Sequence, residues 1–157
     1  MSNWESCLKF GQQYEDIWVD ILDNDYDHIE RAPSDAKFSL WDVKIVKDNI
    51  ETTYEIKADK WAMQTKNIAI EFERVGGVKS GINLSKATFY VIFVIDEFGG
   101  YECYKIPRKK LVKMINNGEY KCVRTSYDGS RFVCVEINRL KEYLYKVVYN
   151  DGFLKDD

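Results

Sequence analysis

The stretch Trp41–Lys60, WDVKIVKDNIETTYEIKADK, decides the fold because two segments of alternating polar and apolar residues flank the turn-forming sequence Lys47-Asp48-Asn49. Side chains alternate between the two faces of a β-strand, so Glu55 and Lys57 emerge on the same face. If the two segments pair as a hairpin, Asp42 comes to the same sheet surface. The pattern predicts two carboxylates and one ammonium group gathered where two strands meet.

The apolar residues of this alternation indicate which face is covered. Tyr54 and Ile56 point away from Glu55 and Lys57, toward an expected core. Two carboxylates beside an ammonium group can hold a divalent metal next to a phosphodiester, as metal-assisted hydrolysis of nucleic acid requires. The simpler alternative is a solvated strand face, because Glu-x-Lys triplets are common by chance.

Length and composition exclude several classes of protein. The chain has 157 residues, which predicts one domain spanning residues 1–157 with a sizeable core. Hydrophobic residues make up 45% and aromatic residues 15%, which excludes disordered and fibrous proteins. The longest apolar run, Phe89–Ile95, is too short for a membrane helix, and the first residues show no signal-peptide pattern. We therefore expect an intracellular, soluble protein with no membrane partner.

Cysteine spacing and net charge narrow the chemistry further. The four cysteines form no Cys-x-x-Cys pair and there is a single histidine, so a zinc site of standard spacing is excluded. Reduced thiols are the favoured state. The net charge of −3 argues against a protein that coats nucleic acid through bulk charge, although a local basic face remains compatible with it.

Periodicity along the chain predicts an alternation of helices and strands. Apolar residues at helical spacing predict helices over 3–23, over 108–116 and from Asn138 onward, with a loop over 23–34. Two-residue alternation and apolar runs predict strands near 38–46, 52–58, 67–73, 89–95, 101–106 and 131–137. This order predicts the α/β fold class, with a mixed β-sheet flanked by helices.

A family resemblance follows from the order of these motifs. Residues 54–93 read YEIKADKWAMQTKNIAIEFERVGGVKSGINLSKATFYVIF, with Glu-Ile-Lys, then Thr-x-Asn-Ile-x-Ile-Glu, then Ser-Gly-Ile and Lys-Ala before a hydrophobic strand. This set resembles the PD-(D/E)XK nuclease superfamily, which includes archaeal Holliday-junction resolvases and small nucleases of phages and large DNA viruses. The resemblance covers roughly residues 10–110. It implies a restriction-endonuclease-like fold and a metal-dependent endodeoxyribonuclease that hydrolyses DNA.

The chemistry of phosphodiester hydrolysis assigns roles to the residues of the hairpin. Magnesium prefers oxygen ligands and keeps several of its waters, so one or two carboxylates and a backbone carbonyl suffice to hold it. Asp42 and Glu55 are the predicted ligands of Mg²⁺ or Mn²⁺, with the Ile56 carbonyl as the third. Lys57 is predicted to orient or help deprotonate the attacking water and to offset charge at the phosphorus.

Two further glutamates enter through the resemblance. Glu71 lies on the third predicted strand, where related nucleases often place an acidic or polar group, so it is a candidate metal ligand. Glu15 resembles the acidic residue that many resolvases bring from their first helix, so it is a candidate catalytic residue. Asp35, in Pro33-Ser34-Asp35, rivals Asp42 as the first acid, although Asp42 lies in an alternating apolar segment.

Positive charge is concentrated around the start of the helix predicted over 108–116. Such a cluster can contact several phosphates, and an ordinary basic helix face is an equal alternative. The predicted nucleic-acid-binding residues are Lys105, Arg108, Lys109, Lys110 and Lys113. Without a zinc-finger, helix-turn-helix or RNA-recognition signature, we expect DNA to be recognised by its backbone and shape.

The resemblance leaves the biological form of the activity open. A structure-selective, junction-resolvase-like enzyme cuts two strands symmetrically, which requires two active sites and implies a homodimer. A viral or phage origin, with action inside a host cell, is implied by the resemblance alone. The alternative function is a non-catalytic module that keeps the nuclease fold and binds nucleic acid or protein.

Overall fold

The computed structural model describes residues 3–33 and 39–150. These residues form three α-helices and ten strands. The helices are α1 (Asn3–Leu22), α2 (Ala62–Thr65) and α3 (Arg108–Asn116). The strands are β1 (His28–Arg31), β2 (Val43–Lys47), β3 (Ile50–Asp59), β4 (Asn67–Arg74), β5 (Val78–Lys79), β6 (Phe89–Ile95), β7 (Tyr101–Pro107), β8 (Cys122–Thr125), β9 (Arg131–Glu136) and β10 (Leu144–Val148). Among these helices, none combines the length and the apolar composition needed to cross a membrane.

The strands form two sheets. The larger sheet has six strands in the order β1-β2-β3-β6-β7-β10, with β3 and β6 parallel and the other neighbours antiparallel. The smaller sheet has four antiparallel strands in the order β5-β4-β9-β8. The chain is therefore a mixed α/β protein, as its periodicity predicts.

The predicted hairpin forms between β2 and β3. Lys47 pairs with Ile50, and the two residues between them, Asp48 and Asn49, have φ values of 51° and 63°. Positive φ at both central positions is the geometry of a type I′ turn, whose twist matches that of paired strands. The turn sets the register that brings Asp42 opposite Glu55.

Strand β6 lies at the centre of the larger sheet. Its residues from Tyr90 to Ile95 are all buried, because the strand has β3 on one side, β7 on the other and a hydrophobic cluster on each face. This confirms the expectation that the continuous apolar run is covered on both faces.

One hydrophobic cluster lies between α1 and the larger sheet. Trp18 of α1 is fully buried, and its ring centroid is 5.1 Å from that of Tyr54. Ile56 belongs to the same cluster, so the apolar side of β3 faces a core as predicted, and α1 covers that core. Consequently Glu55 and Lys57 lie on the opposite face of the sheet.

The second cluster covers that opposite face and includes the smaller sheet. Ile68 and Ile70 of β4 pack with Ile92 of β6 and Leu111 of α3. The prediction of one mixed sheet is therefore wrong for the third acidic strand, because that strand is β4 and belongs to the smaller sheet. Strand β6 pairs with β3 instead, since β6 is apolar on both faces and both need to be covered. Strand β4 is polar on one face and needs only its other face covered.

Two other predictions of local structure are wrong. Strand β1 lies within the predicted loop over 23–34 and pairs with β2 at the edge of the sheet, where its exposed residues give no apolar alternation. The helix predicted from Asn138 is a 3-10 turn, Ile137–Tyr143, followed by β10. Leu140 is fully buried while Leu144 is 43% exposed, so the apolar residues of this segment do not share one helical face.

Candidate functional site

Asp42 lies just before β2, where that strand separates from β3. Its backbone N–H donates to the Tyr54 carbonyl at 2.8 Å, which extends the ladder by one bond. Beyond this point β2 no longer pairs with β3, and the Asp42 side chain provides the next acceptor: Oδ2 accepts the N–H of Ile56 at 2.7 Å. This bond fixes one carboxylate oxygen of Asp42 against the edge of β3.

Glu55 and Lys57 form an ion pair on the same face of β3. Glu55 Oε1 is 3.1 Å from Lys57 Nζ, and the two side chains are 12% and 48% exposed, respectively. The other carboxylate oxygen, Glu55 Oε2, is buried and has no hydrogen-bond partner among the described residues. Buried carboxylate oxygens normally have a partner, so Oε2 is directed at a place where a cation or a donor would be stabilised.

The two carboxyl groups influence each other's protonation. Burial raises the pKa of Asp42, while the Ile56 N–H and the charge of Lys57 lower it in part. Burial also raises the pKa of Glu55, with Lys57 lowering it and Asp42 raising it further. Each group therefore makes the negative charge of the other less favourable, and a divalent cation between them would relieve that repulsion.

Lys57 responds to the same carboxylates in the opposite sense. Partial desolvation of its ammonium group opposes the charge, but the negative charges of Glu55 and Asp42 outweigh this effect, so that the pKa of Lys57 is raised. Lys57 is consequently protonated at neutral pH. In this state it can donate hydrogen bonds and stabilise negative charge, but it cannot accept a proton.

Glu15 of α1 reaches the neighbourhood of Asp42 from the other side. Its carboxylate is 3.5 Å from Arg31, which also pairs with Asp16 at 2.7 Å. Burial raises the pKa of Glu15, and the negative charge of Asp42 raises it further against the opposing effect of Arg31. The structure thus places Glu15 within electrostatic range of Asp42.

The Ile56 carbonyl is available at the same edge of β3. In a strand the N–H and C=O groups of one residue point to the same side. Because the Ile56 N–H donates to Asp42 Oδ2, its carbonyl also points toward Asp42, beyond the last β2 pair at Val43 and Tyr54. The predicted third oxygen therefore faces the edge of β3 that Asp42 occupies.

Tyr90 is a residue of this site that sequence reasoning missed. It lies directly beside Glu55 in the parallel pairing of β3 and β6, and its buried hydroxyl has no hydrogen bond of good geometry within the described residues. Burial raises the pKa of Tyr90, which also senses Lys57, Glu55 and the hydroxyl of Ser85. Only the strand register could have pointed to it, because the run 89–95 otherwise indicates a purely apolar strand.

Glu71 is not brought to the other acids by the larger sheet. It lies on β4, paired with Phe132 of β9, and its backbone carbonyl packs against Gly81 so closely that a Cβ there would be 2.1 Å away. Neither Asp42 nor Glu55 has a hydrogen bond or ion pair with Glu71 among the described residues. Its role as a metal ligand stays a prediction, and the rival acid Asp35 lies outside the described residues.

The predicted basic cluster is divided by the fold. Lys105 lies opposite Val91 on the α1 face, with Nζ 4.5 Å from the ring centroid of Phe89, and burial lowers its pKa. Arg108 donates from Nε to the Ala87 carbonyl at 3.1 Å. The remaining members are exposed on α3: Lys109, Lys110 and Lys113. DNA contact by these residues stays a prediction, and α3 packs on the face of the larger sheet opposite to the one that carries Lys105.

The residues present fit a magnesium-type site of limited coordination. Within residues 3–33 and 39–150, no group of three or more His, Cys, Asp or Glu side chains is arranged to hold a metal ion. Two carboxylates, Asp42 and Glu55, and the Ile56 carbonyl provide three oxygens, and water completes the shell in many magnesium sites. The unpartnered Glu55 Oε2 is the feature that favours a cation at this position.

Comparisons with known proteins do not extend this assignment. No family model, no curated protein and no solved structure matches the chain. The geometry of the site and the chemistry of its residues therefore carry the functional inference.

Proposed function

We propose that this chain is a Mg²⁺- or Mn²⁺-dependent endodeoxyribonuclease with a restriction-endonuclease-like, PD-(D/E)XK type of site. One observation carries the proposal: among the described residues, Glu55 keeps a buried carboxylate oxygen without a hydrogen-bond partner, beside Asp42 and the ion-paired Lys57. A structural ion pair would gain from satisfying both oxygens, whereas a metal ligand needs one of them free.

In this proposal the acids and the Ile56 carbonyl hold the cation. The oxygens that would hold it are the Asp42 oxygen that does not accept the Ile56 N–H and Glu55 Oε2. The bound ion supplies charge neutralisation at the phosphate and lowers the pKa of the attacking water. Glu15, which senses the charge of Asp42, adds negative charge on the α1 side of the site.

Lys57 acts as a cation rather than as a base. Its raised pKa keeps the ammonium group protonated at neutral pH. A protonated lysine next to the reacting phosphate orients the nucleophilic water and stabilises the charge that develops on the phosphoryl oxygens. The electrostatic role expected from the sequence follows from this charge, whereas proton abstraction would require the bound ion to lower the pKa of Lys57.

The decisive test compares Lys57→Ala with Lys47→Ala in a DNA cleavage assay with Mg²⁺, Mn²⁺ or EDTA. The two lysines are matched, since each side chain is 48% exposed and each pairs with one carboxylate. We expect Lys57→Ala to lose roughly 10²–10³-fold in rate, and Lys47→Ala to cleave like the parent. Cleavage by Lys57→Ala at the parental rate would contradict the site assignment.

A second substitution examines the acid without disturbing the fold. Asp42→Asn keeps an oxygen that can accept the Ile56 N–H but removes the negative charge. We expect unchanged circular dichroism and no metal-dependent cleavage. Isothermal titration should show Mg²⁺ binding by the parent and none by the Asp42→Asn protein. If this difference is absent, the non-catalytic nuclease-fold module becomes the better description.

The choice of DNA substrate distinguishes the forms of this activity. A panel of four-way junctions, flaps, linear duplex and single strands separates a junction-resolvase-like enzyme from a general endonuclease. A resolvase also requires a two-fold dimer, because both strands are cut symmetrically. Sedimentation of the protein with and without a junction measures that dimer directly.

A further inference from the structure

A cavity of about 510 Å³ lies on the outer face of the smaller sheet, next to the end of β3. It is lined by Asp59 and Trp61 after β3, by Asn67 of β4, by Arg124 of β8 and by Phe132 of β9. This volume is within the range of small-ligand sites, which is about 300–1,000 Å³. None of these residues belongs to the metal and lysine site described above.

The cavity is connected to the candidate active site through β3. Glu55, Lys57 and Asp59 alternate along one face of the strand, and Asp59 is about 7 Å beyond Lys57 at the rise of an extended chain. Asp59 Oδ1 accepts the N–H groups of Trp61 and Ala62, both at 2.9 Å. The carboxylate of Asp59 therefore anchors the Trp61 wall of the cavity at a fixed distance from the reacting centre.

The lining combines an exposed aromatic ring with positive charge. Trp61 is 61% exposed, which is unusual for so large an apolar side chain. Lys60 Nζ lies 5.8 Å from the Trp61 ring centroid, and Arg124 adds a guanidinium group. The amide of Asn67 donates to the Thr65 carbonyl at 2.9 Å, which leaves its side-chain oxygen as an acceptor. Aromatic rings beside cations are the combination that holds a stacked base and its phosphate in single-stranded DNA sites.

We propose that this cavity binds one nucleobase of a single-stranded segment of the DNA substrate, with Trp61 stacking on the base and Arg124 and Lys60 contacting the adjacent phosphates. The proposal rests on the proposed nuclease function, which it deepens by naming the substrate as DNA that is unpaired next to the cut. The base enters the cavity a short distance along β3 from Lys57, so that binding there sets which phosphate reaches the site.

The test measures binding separately from cleavage. A fluorescent single-stranded oligodeoxynucleotide of about 12 nucleotides is titrated with the full chain carrying Lys57→Ala, in EDTA, and anisotropy is recorded. Adding Trp61→Ala should weaken binding about tenfold or more, whereas Trp61→Phe should retain most of it. Tyr149→Ala is the control, because Tyr149 is 85% exposed, lies after β10 and does not line the cavity.

An abasic-site scan identifies the stacked base. A single abasic nucleotide is placed at each position of the oligonucleotide in turn. At one position we expect the affinity of the protein with Trp61 to fall about tenfold. The Trp61→Ala protein should show no further loss of affinity at that position. Equal binding by the Trp61→Ala and control proteins would overturn the proposal. So would Trp61-dependent binding of a free deoxynucleoside monophosphate without binding of the strand, since the cavity would then hold a free nucleotide.

Failure of this inference differs from failure of the nuclease proposal. If the Lys57→Ala protein cleaves like the parent but binding depends on Trp61, the cavity assignment holds and the catalytic assignment is wrong. If cleavage depends on Lys57 but neither binding nor the abasic scan depends on Trp61, the catalytic assignment holds and the cavity assignment is wrong.

Discussion

At the scale of single residues, the central feature is a carboxyl group whose environment disfavours its own charge. Glu55 is buried next to Asp42, and the ion pair with Lys57 satisfies only one of its oxygens. Such an arrangement lowers the stability of the fold in the absence of a cation. Destabilising groups of this kind are found mainly at functional sites. The same balance of charge explains why Lys57 is held protonated.

We predict that Glu55→Gln stabilises the protein in EDTA at neutral pH. The substitution keeps the shape and removes a negative charge whose pKa is raised mainly by burial. A gain of about 1 kcal/mol would raise the thermal midpoint by about 2–4 °C in a domain of this size. Differential scanning calorimetry measures it, with Glu73→Gln as the control, since Glu73 is also partly buried and pairs with Arg131 at 2.7 Å.

The pH dependence of this difference has a definite sign. Because the pKa of Glu55 is raised in the folded state, the folded state binds more protons than the unfolded state between the two values. The free-energy cost of the buried Glu55 charge is therefore complete above the raised pKa. It is relieved as pH falls toward the pKa of the unfolded state, about 4.3. The advantage of Glu55→Gln should shrink as pH is lowered from 7, and an advantage that grows would contradict this account.

At the scale of elements, the β2–β3 hairpin determines whether the site exists. Its two-residue turn fixes the register in which Asp42 comes opposite Glu55, and a slip of one residue would turn Glu55 and Lys57 into the α1 core. The turn residues Asp48 and Asn49 both have positive φ, and the N–H of Asp48 donates to Asp27 at 2.9 Å. The turn is thus held both by its own conformation and by the segment before β1.

We predict that Asn49→Gly stabilises the hairpin and that Asn49→Ala destabilises it. Glycine adopts positive φ without a steric penalty and is preferred at the second position of type I′ turns, whereas alanine is strained there. We expect about 0.5–1 kcal/mol in each direction, measured by urea denaturation. Equal stability of the two variants would mean that the turn conformation is not the constraint on the register.

At the scale of the whole molecule, the candidate site joins parts that are distant in sequence. Glu15 comes from α1, Asp42 from the residue just before β2, Glu55 and Lys57 from β3 and Tyr90 from β6. Both faces of the larger sheet are covered, by α1 on one side and by the smaller sheet and α3 on the other. A ligand held between these elements would stabilise the fold as a unit.

We predict that Mg²⁺ or Mn²⁺ raises the thermal midpoint of the parent protein but not that of Asp42→Asn. A ligand that binds only the folded state contributes about 2.7 kcal/mol at a concentration of 100 times Kd. Thermal unfolding across a titration of each ion measures the effect, and Ca²⁺ tests selectivity. An equal rise in both proteins would indicate binding elsewhere on the chain.

Much of the local structure follows from the sequence alone, because it depends on near neighbours. The alternation around Glu55 and Lys57, the Asp48-Asn49 turn, the apolar run of β6 and the start of α3 after Pro107 are each encoded within a few residues. The same local signals separated the core face of β3 from its polar face. These features required no knowledge of what the strands pack against.

Tertiary structure alone decided how these elements combine. Strand β4 joined a second sheet, the segment after Asn138 became a 3-10 turn and a strand, and Lys105 turned to the α1 face. Tyr90 entered the site through pairing with Glu55, although its own neighbours in sequence are apolar. The physical reason is that sheet partners and the burial of charge depend on contacts between residues far apart in the chain, and local periodicity carries no information about them.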